Sequence, residues 1–147
     1  MQYAVKPANT ARTSTTTLTA DPDLQLALAA GTWIFDCVLP FTGGTTGSSD
    51  AKITFEFSGT ASATGSFWIP FGPTTSSSTV VNNNSTALAS TQVIGTYSTT
   101  TPVSAQPKGG VVVTAAGTLA LYWSQNTSSS TATTAQAGSW LRAIRTA

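Results

Sequence analysis

The chain has 147 residues, and only 7% of them are charged, with six Lys and Arg residues against five Asp and Glu residues. Soluble domains contain about 25% charged residues, and a protein that holds a nucleic-acid backbone needs a clustered basic stripe, so the composition excludes nucleic acid as a partner. Despite 29 Thr and 18 Ser residues, 40% of the chain is apolar, which favours one folded domain over a disordered polar tract.

Residues 1–12 differ from the rest of the chain, because they contain cations and Pro7 but few large apolar side chains. This composition predicts an extended N-terminal arm over residues 1–12 that lies along a surface, followed by a single domain over residues 13–147. No charged stretch followed by an apolar one opens the arm, so we expect no signal peptide and synthesis in a cytoplasm. We also expect no membrane span, since the apolar runs fall far short of the ~20 residues that a spanning helix needs.

Apolar residues recur at every second position along much of the domain, which is the pattern of half-buried strands. The candidate strands cover residues 12–19, 23–28, 32–39, 52–58, 66–71, 91–98, 110–115, 118–125 and 139–145. Clusters of Gly, Pro, Asn and Ser separate them. About eight to nine short strands, without a long helical stripe, predict an all-β fold: an antiparallel β-sandwich of the jelly-roll type.

Two segments within this pattern carry specific predictions. Residues 32–39 are apolar on both faces apart from Asp36, which predicts a central strand covered on both sides. Cys37 lies in this run and is predicted to be a small buried residue, with no second cysteine to pair with. The Asp-Pro-Asp sequence at residues 21–23 indicates a turn.

The chain lacks the residues on which most enzyme chemistry depends. It has no His, which removes the usual general base at neutral pH and every His-based triad or zinc site. Phosphate-binding and nucleophile-elbow glycine motifs are also absent. Nothing in the spacing of the five carboxylates places two of them around one bond. We therefore predict a protein that is not an enzyme and that uses no cofactor and no metal.

The candidate strands carry few of the charges that usually protect sheet edges from pairing with another chain. The chain has three Lys in total, and the 51 residues between Glu56 and Lys108 are all uncharged. A net charge near zero also favours association. We therefore predict a homo-oligomer or a place in a larger assembly, in which other subunits cover the edges.

Four residues are candidates for an interface or a ligand-binding surface. Trp68 and Phe71 belong to the densest apolar block, residues 67–71, where Pro70 predicts a sheet edge or a bulge. This block is either core or a contact patch for a partner. Trp140 and Arg142 share one face of the last candidate strand, which favours an interfacial position.

Segments near both ends of the chain resemble a known family. Residues 117–127 (GTLALYWSQNT) and 137–143 (AGSWLRA) resemble the ending GTLxLxWAQNTS…ATTxxAGSxLRAxR of small virion proteins of tailed bacteriophages. Residues 11–24 (ARTSTTTLTADPDL) are similar to the R-STTL–D–L opening of those proteins. The similarity covers most of the chain and is strongest in its last 30 residues, whereas the block at residues 67–71 has no counterpart.

The resemblance implies a structural component of a phage particle. The first function that we expect is capsid decoration, in which a cement protein binds the outer capsid shell and stabilises it. The partner is then the major capsid protein, contacted by the N-terminal arm through Tyr3, Lys6 and Arg12, because capsid exteriors are commonly acidic. The expected arrangement is a homotrimer on the capsid exterior of the virion.

Two other roles stay open at this point. A tail or fibre module would bind host-surface carbohydrate through Trp68 or Trp140 and through the loops at residues 82–85 or 127–134. A tail-tube or connector element would instead fill a ring in the tail. The short chain favours decoration, because a fibre tip usually brings a shaft or a long attachment segment.

Overall fold

The computed structural model describes residues 1–45, 49–62, 65–73, 80–81 and 85–147. Within these ranges the chain forms fifteen β-strands and no α-helix, which confirms the all-β prediction. The predicted loop at residues 82–85 lies outside the described residues, apart from Ser85.

The strands, numbered in chain order, belong to three antiparallel sheets. The large sheet contains nine strands: β1 (Gln2–Val5), β2 (Thr10–Arg12), β4 (Gly31–Thr42), β6 (Thr60–Ala61), β7 (Phe67–Ile69), β11 (Val103–Ala105), β12 (Lys108–Ala115), β14 (Thr133–Ala135) and β15 (Trp140–Arg145). The small sheet contains four: β3 (Thr19–Leu28), β5 (Ala51–Phe57), β10 (Gln92–Ile94) and β13 (Gly117–Gln125). The remaining pair is β8 (Gly72–Pro73) and β9 (Val80–Val81).

The longest strand, β4, is the centre of the large sheet. Its first half pairs with β15 on one side and β12 on the other, and its second half pairs with β11 and β14. Beyond these neighbours, β1 pairs with β15, β6 and β7 pair with β12, and β2 pairs with β14. The small sheet has the order β10-β5-β13-β3.

The hydrophobic core lies between the large and small sheets. The ring centroid of Phe35 in β4 is 5.0 Å from that of Phe55 in β5, and Phe41 in β4 is 5.4 Å from Trp123 in β13. The alternating leucines of β3 and β13 are buried in the same core, which confirms the period-two prediction for both strands. The two sheets therefore pack as a β-sandwich.

The prediction that β4 is covered on both faces is wrong. Trp33, Phe35 and Cys37 point into the core and are at most 5% exposed, whereas Ile34 is 51% exposed. Because the sandwich has two layers, a strand of the large sheet buries only one face. Cys37 is buried as predicted, and this burial raises the pKa of its thiol well above the usual value.

The strand predicted at residues 12–19 does not form, because β2 ends at Arg12 and residues 13–18 are irregular. Side chains bind the backbone here: Thr17 N–H donates to Thr15 Oγ1 at 3.3 Å, and Thr15 N–H donates to Gln125 Oε1 at 3.4 Å. Such bonds compete with a sheet ladder. Ser14 also has a φ of 52°, which interrupts an extended strand.

The N-terminal segment predicted as an arm contributes two strands to the large sheet. β1 pairs with β15 from Gln2, opposite Ala143, to Val5, opposite Trp140. β2 pairs in the same antiparallel manner with β14. Residues 1–12 therefore lie along the sandwich, and β1 forms one edge of the large sheet.

Eight of the fifteen strands are only two or three residues long. These short strands explain why the number exceeds the eight to nine that were predicted. A segment of this length pairs through its backbone but has no alternation that is long enough to recognise in a sequence.

Candidate interaction surface

Lys6, which was predicted to contact a capsid, lies inside the molecule. Its Nζ is 2.9 Å from Oδ2 of Asp21 and 2.9 Å from Oδ2 of Asp23, and its side chain is fully buried. Trp123 donates its indole N–H to Asp21 at 3.0 Å. Because a buried charge requires such partners, Lys6 holds the N-terminal segment on the sandwich and is not available at the surface.

A bulge in β3 brings Asp21 to this position. The register of β3 against β13 shifts beside Ala120, so several residues of β3 leave the regular ladder. Asp21 Oδ1 accepts the backbone N–H groups of Asp23 and Leu24 at 3.0 and 3.2 Å. The turn predicted from the Asp-Pro-Asp sequence is therefore an Asx turn within a strand.

Arg12 is also directed inward. Its guanidinium lies 4.0 Å from the ring centroid of Trp123 and donates to the carbonyl oxygens of Thr19, Ala20 and Trp123. Burial lowers the pKa of Arg12. Lys6 is therefore corrected as a surface contact, Arg12 is partly buried and bonded within the fold, and Tyr3 is the exposed member of the predicted set, at 58%.

The apolar block at residues 67–71 divides between core and surface. Trp68 is fully buried, with its ring packed edge-on against Phe55 at 5.3 Å, so the prediction of Trp68 as a surface residue is corrected. Phe67 and Phe71 are 46% and 44% exposed. Phe71 follows Pro70 with a φ of 43°, a left-handed conformation that bulky residues rarely adopt.

The side of the large sheet that faces away from the core carries most of the exposed apolar side chains. Seven large apolar residues among the described ones are at least 36% exposed, and five of them lie here: Tyr3, Val5, Ile34, Phe67 and Ile144. We call this surface the outer face, and it also includes Asp36, Ile69, Lys108, Trp140 and Arg142. A concentration of apolar groups on one face is typical of an interaction site.

A row of charged side chains crosses the middle of the outer face. Asp36 of β4 is the register partner of Arg142 in β15 and of Lys108 in β12. Arg142 donates through Nε to Asp36 Oδ1 at 2.9 Å and through Nη2 to Oδ2 at 2.6 Å, and this bonding raises the pKa of Arg142. The side-chain ammonium of Lys108 makes no hydrogen bond or ion pair to any described residue, so the row contains one uncompensated cation.

Tyr3 and Trp140 form an aromatic border beside this row. Their ring centroids are 6.4 Å apart with an interplanar angle of 40°. The guanidinium of Arg142 lies 5.6 Å from the centroid of Trp140, within the range of a cation–π contact. The shared face predicted for Trp140 and Arg142 is confirmed by the pairing of β15 with β4.

A depression of about 340 Å³ lies in the outer face. Its apolar lining residues are Ile34, Phe35, Phe67, Ile69 and Ile144, and its charged lining residues are Asp36, Lys108 and Arg142. Gly110 of β12 lies between Ile34 and Phe67 in the register, and it has no side chain to separate them. A Cβ at Gly110 would lie 2.9 Å from the Phe67 ring, so the ring occupies the space above this glycine.

Asp50 is a second buried carboxylate and lies away from the outer face, in the irregular stretch just before β5. Its Oδ1 accepts the backbone N–H of Thr96 at 2.7 Å, whereas Oδ2 has no hydrogen-bond partner among the described residues. Burial raises the pKa of Asp50.

The described residues also limit two other kinds of site. They contain no group of three or more His, Cys, Asp or Glu residues placed to hold a metal ion. In the same part of the chain, no helix has the length and apolar character needed to cross a membrane.

Several residues of the outer face were not singled out from the sequence, among them Ile34 and Lys108, and Phe67 was included only as part of the block at residues 67–71. A signal exists for Ile34, because it shares a strand face with Asp36, two residues away, and a carboxylate indicates the solvent side. No comparable signal exists for Lys108, because its position beside the depression depends on the pairing of β12 with β4 and β7.

No family model matches the chain, and a search of curated proteins found no match either. The expectation of a phage particle therefore rests on the resemblance of the end segments alone.

Proposed function

We propose that this chain is a non-enzymatic structural protein of a tailed-phage virion, a decoration or cement protein that binds the outer capsid shell and stabilises it. The observation that carries the proposal is the outer face, where five large apolar side chains surround the paired Arg142 and Asp36. The resemblance of both end segments to small virion proteins favours a phage particle as the place where this face is covered.

The composition of the outer face supports a protein partner. Tyr, Trp, Phe and Arg are the residues that are enriched at protein interfaces, and all four types are present there. A sheet surface is also rigid, so binding through it orders few additional groups. By contrast, among the residues that the structure describes, none of the seven exposed large apolar ones belongs to a strand of the small sheet.

Docking through the outer face replaces the clamping arm as the proposed mechanism. Lys6 and Arg12 bind groups within the sandwich, whereas Tyr3 contributes to the outer face from β1. The proposed partner is the major capsid protein, and the proposed location is the capsid exterior.

The free edge of the large sheet supports a homo-oligomer, and we propose a trimer. Gln2, Tyr3 and Val5 of the edge strand β1 are exposed, and β1 has neither the lysine, the proline nor the bulge that usually protects an edge. The edge strand β3 of the small sheet has both Pro22 and a bulge. Light scattering should therefore give three times the chain mass of 15.0 kDa, and a monomer at high concentration would contradict this.

Immunogold electron microscopy of intact virions, with an antibody against this protein, tests the proposal. Label distributed over the head is the expected result. Label confined to the tail would reject the decoration role, and particles without any label would reject the virion assignment.

A second candidate function is carbohydrate binding by a tail or fibre module, and the pairing of Tyr3 with Trp140 favours it. These two rings lie at the border of the outer face, with Arg142 beside them as a hydrogen-bond donor. Trp68, which is buried, takes no part in this version. Trp140→Ala should then reduce adsorption to host cells without unfolding the protein, and unchanged adsorption would remove this candidate.

A further inference from the structure

The depression in the outer face combines an apolar lining with an unpaired cation. Ile34, Phe67 and Ile144, the exposed apolar residues in the middle of the face, all contribute to it. Lys108 contributes too, and no described residue forms an ion pair with it. Asp36 is the register partner of Lys108, but both of its carboxylate oxygens accept hydrogen bonds from Arg142. Asp36 is therefore already paired with a different cation.

We propose that this depression is a docking pocket for one apolar side chain of a protein partner, and that the partner carries a carboxylate next to that side chain. The apolar group contacts Ile34, Phe67 and Ile144, and the carboxylate pairs with Lys108. This inference rests on the proposed function and adds the chemistry by which the partner is recognised.

The size of the depression is consistent with a single inserted side chain. Pockets for small ligands measure about 300–1,000 Å³, and a depression of about 340 Å³ lies at the lower end of that range. The Phe67 ring lies over Gly110 and forms part of the wall of the depression, which is present in the chain without a partner.

The charge of the outer face distinguishes a protein partner from a lipid surface. Surfaces that recognise anionic lipid headgroups use clusters of about four to eight basic residues. Lys108 and Arg142 are the two cations that line the depression, and Arg142 is already paired. One free cation beside an apolar lining instead matches one carboxylate beside an apolar side chain.

Two model peptides of nearly equal size, acetyl-Phe-Asp-amide and acetyl-Phe-Asn-amide, test this pairing by NMR titration of the full chain. Both peptides should shift backbone signals of β4, β12 and β15 around the depression. The aspartyl peptide should bind about two- to fivefold more tightly at low salt, the range expected for one exposed ion pair, and high salt should remove the difference.

Variants assign the preference to individual residues. Lys108→Gln should remove the preference for the aspartyl peptide and leave binding of the asparaginyl peptide unchanged. Lys52→Gln is the matched control, because the Lys52 ammonium donates to Thr16 O and lies on the small sheet. Ile144→Ser should weaken the binding of both peptides, because Ile144 belongs to the apolar lining.

Three results would overturn the inference: no signal shifts around the depression at the highest soluble peptide concentration, equal affinity for both peptides, or a preference that survives in Lys108→Gln. Any of these together with immunogold label on the capsid would reject the pocket and leave the proposed function in place. Pocket binding without label on any particle would reject the proposed function and leave the pocket.

Discussion

Lys6 joins the N-terminal segment to the small sheet through one buried charge. Its ammonium contacts Asp21 and Asp23, and Trp123 binds Asp21 as well. A lysine near a chain end is usually solvated, so a sequence argument places it at the surface. Its burial follows from the pairing of β1 with β15 and the bulge in β3, which are long-range features that local composition does not encode.

Replacement of Lys6 tests this buried ion pair. Lys6→Met should lower the free energy of unfolding by about 3–5 kcal/mol, because it leaves the carboxylate of Asp21 buried without its cation. Lys108→Met removes an exposed, unpaired cation and should change stability by less than about 0.5 kcal/mol. Urea unfolding measures both effects. Equal effects of the two substitutions would contradict the interior position of Lys6.

Asp50 makes stability depend on pH in the acidic range. Burial raises its pKa above the ordinary value of 3.8, so the folded protein holds this proton more tightly than the unfolded chain does. The contribution of Asp50 to the free energy of unfolding is therefore fully present below pH 3.8, and it is lost as the pH rises through the higher pKa of the folded state.

Asp50→Asn should remove this dependence and raise the melting temperature at neutral pH. The amide oxygen still accepts the Thr96 N–H, and no charge has to be buried. Thermal unfolding from about pH 3 to about pH 8 measures how steeply the melting temperature of each protein changes with pH. Glu56→Gln is the control for a partly exposed carboxyl group. A variant that melts below the wild type at neutral pH would reject the proposed cost of burying Asp50.

The strands that the alternating apolar pattern predicted most accurately are those with one clear apolar stripe. β5 and β13 follow the predicted ranges closely, because the period of two is a local property of the chain. The number of layers is not local, and for this reason the exposure of Ile34 on the central strand was not predicted. Most strands of two or three residues were missed, since only their pairing defines them, whereas β7 and β10 lie within the predicted ranges 66–71 and 91–98.

Two adjacent glycines of β12 should respond differently to substitution because they face opposite sides of the large sheet. A Cβ at Gly109 would collide with the carbonyl oxygen of Phe67 and with the buried ring of Phe35. A Cβ at Gly110 would meet the Phe67 ring, which is exposed and can turn aside. Gly109→Ala should cost about 1–3 kcal/mol of stability and Gly110→Ala less than about 1 kcal/mol. Denaturant unfolding measures the stability of both variants. A larger loss for Gly110→Ala than for Gly109→Ala would contradict the assignment of these glycines to opposite faces of the sheet.

The molecule as a whole has two unlike outer sides. The large sheet exposes Tyr3, Ile34 and Phe67, while the exposed large apolar residues among those described include none from the small sheet. Tyr3 was singled out from the sequence as part of the N-terminal segment, and Trp140 and Arg142 because they share a face of the last strand. The depression itself was not, because three separate strands must meet before its lining residues are neighbours.

This asymmetry predicts that a charge disrupts particle binding on one side only. Ile34→Asp should abolish co-sedimentation with capsids, because it places a carboxylate in the apolar outer face. Ala27→Asp adds the same charge to an exposed position of β3 in the small sheet and should bind as the wild type does. Melting curves check that each substitution costs no more than about 1 kcal/mol. Loss of binding in both variants, or in neither, would count against docking through the outer face.

Cryo-electron microscopy of phage particles that carry the protein tests the proposed docking through the outer face most directly. If the protein docks as proposed, the sandwich fits the density outside the capsid shell with the large sheet toward the shell, so that Ile34, Phe67 and Ile144 are covered. Density in which the outer face points to solvent, or in which the protein lies elsewhere on the particle, would contradict this docking.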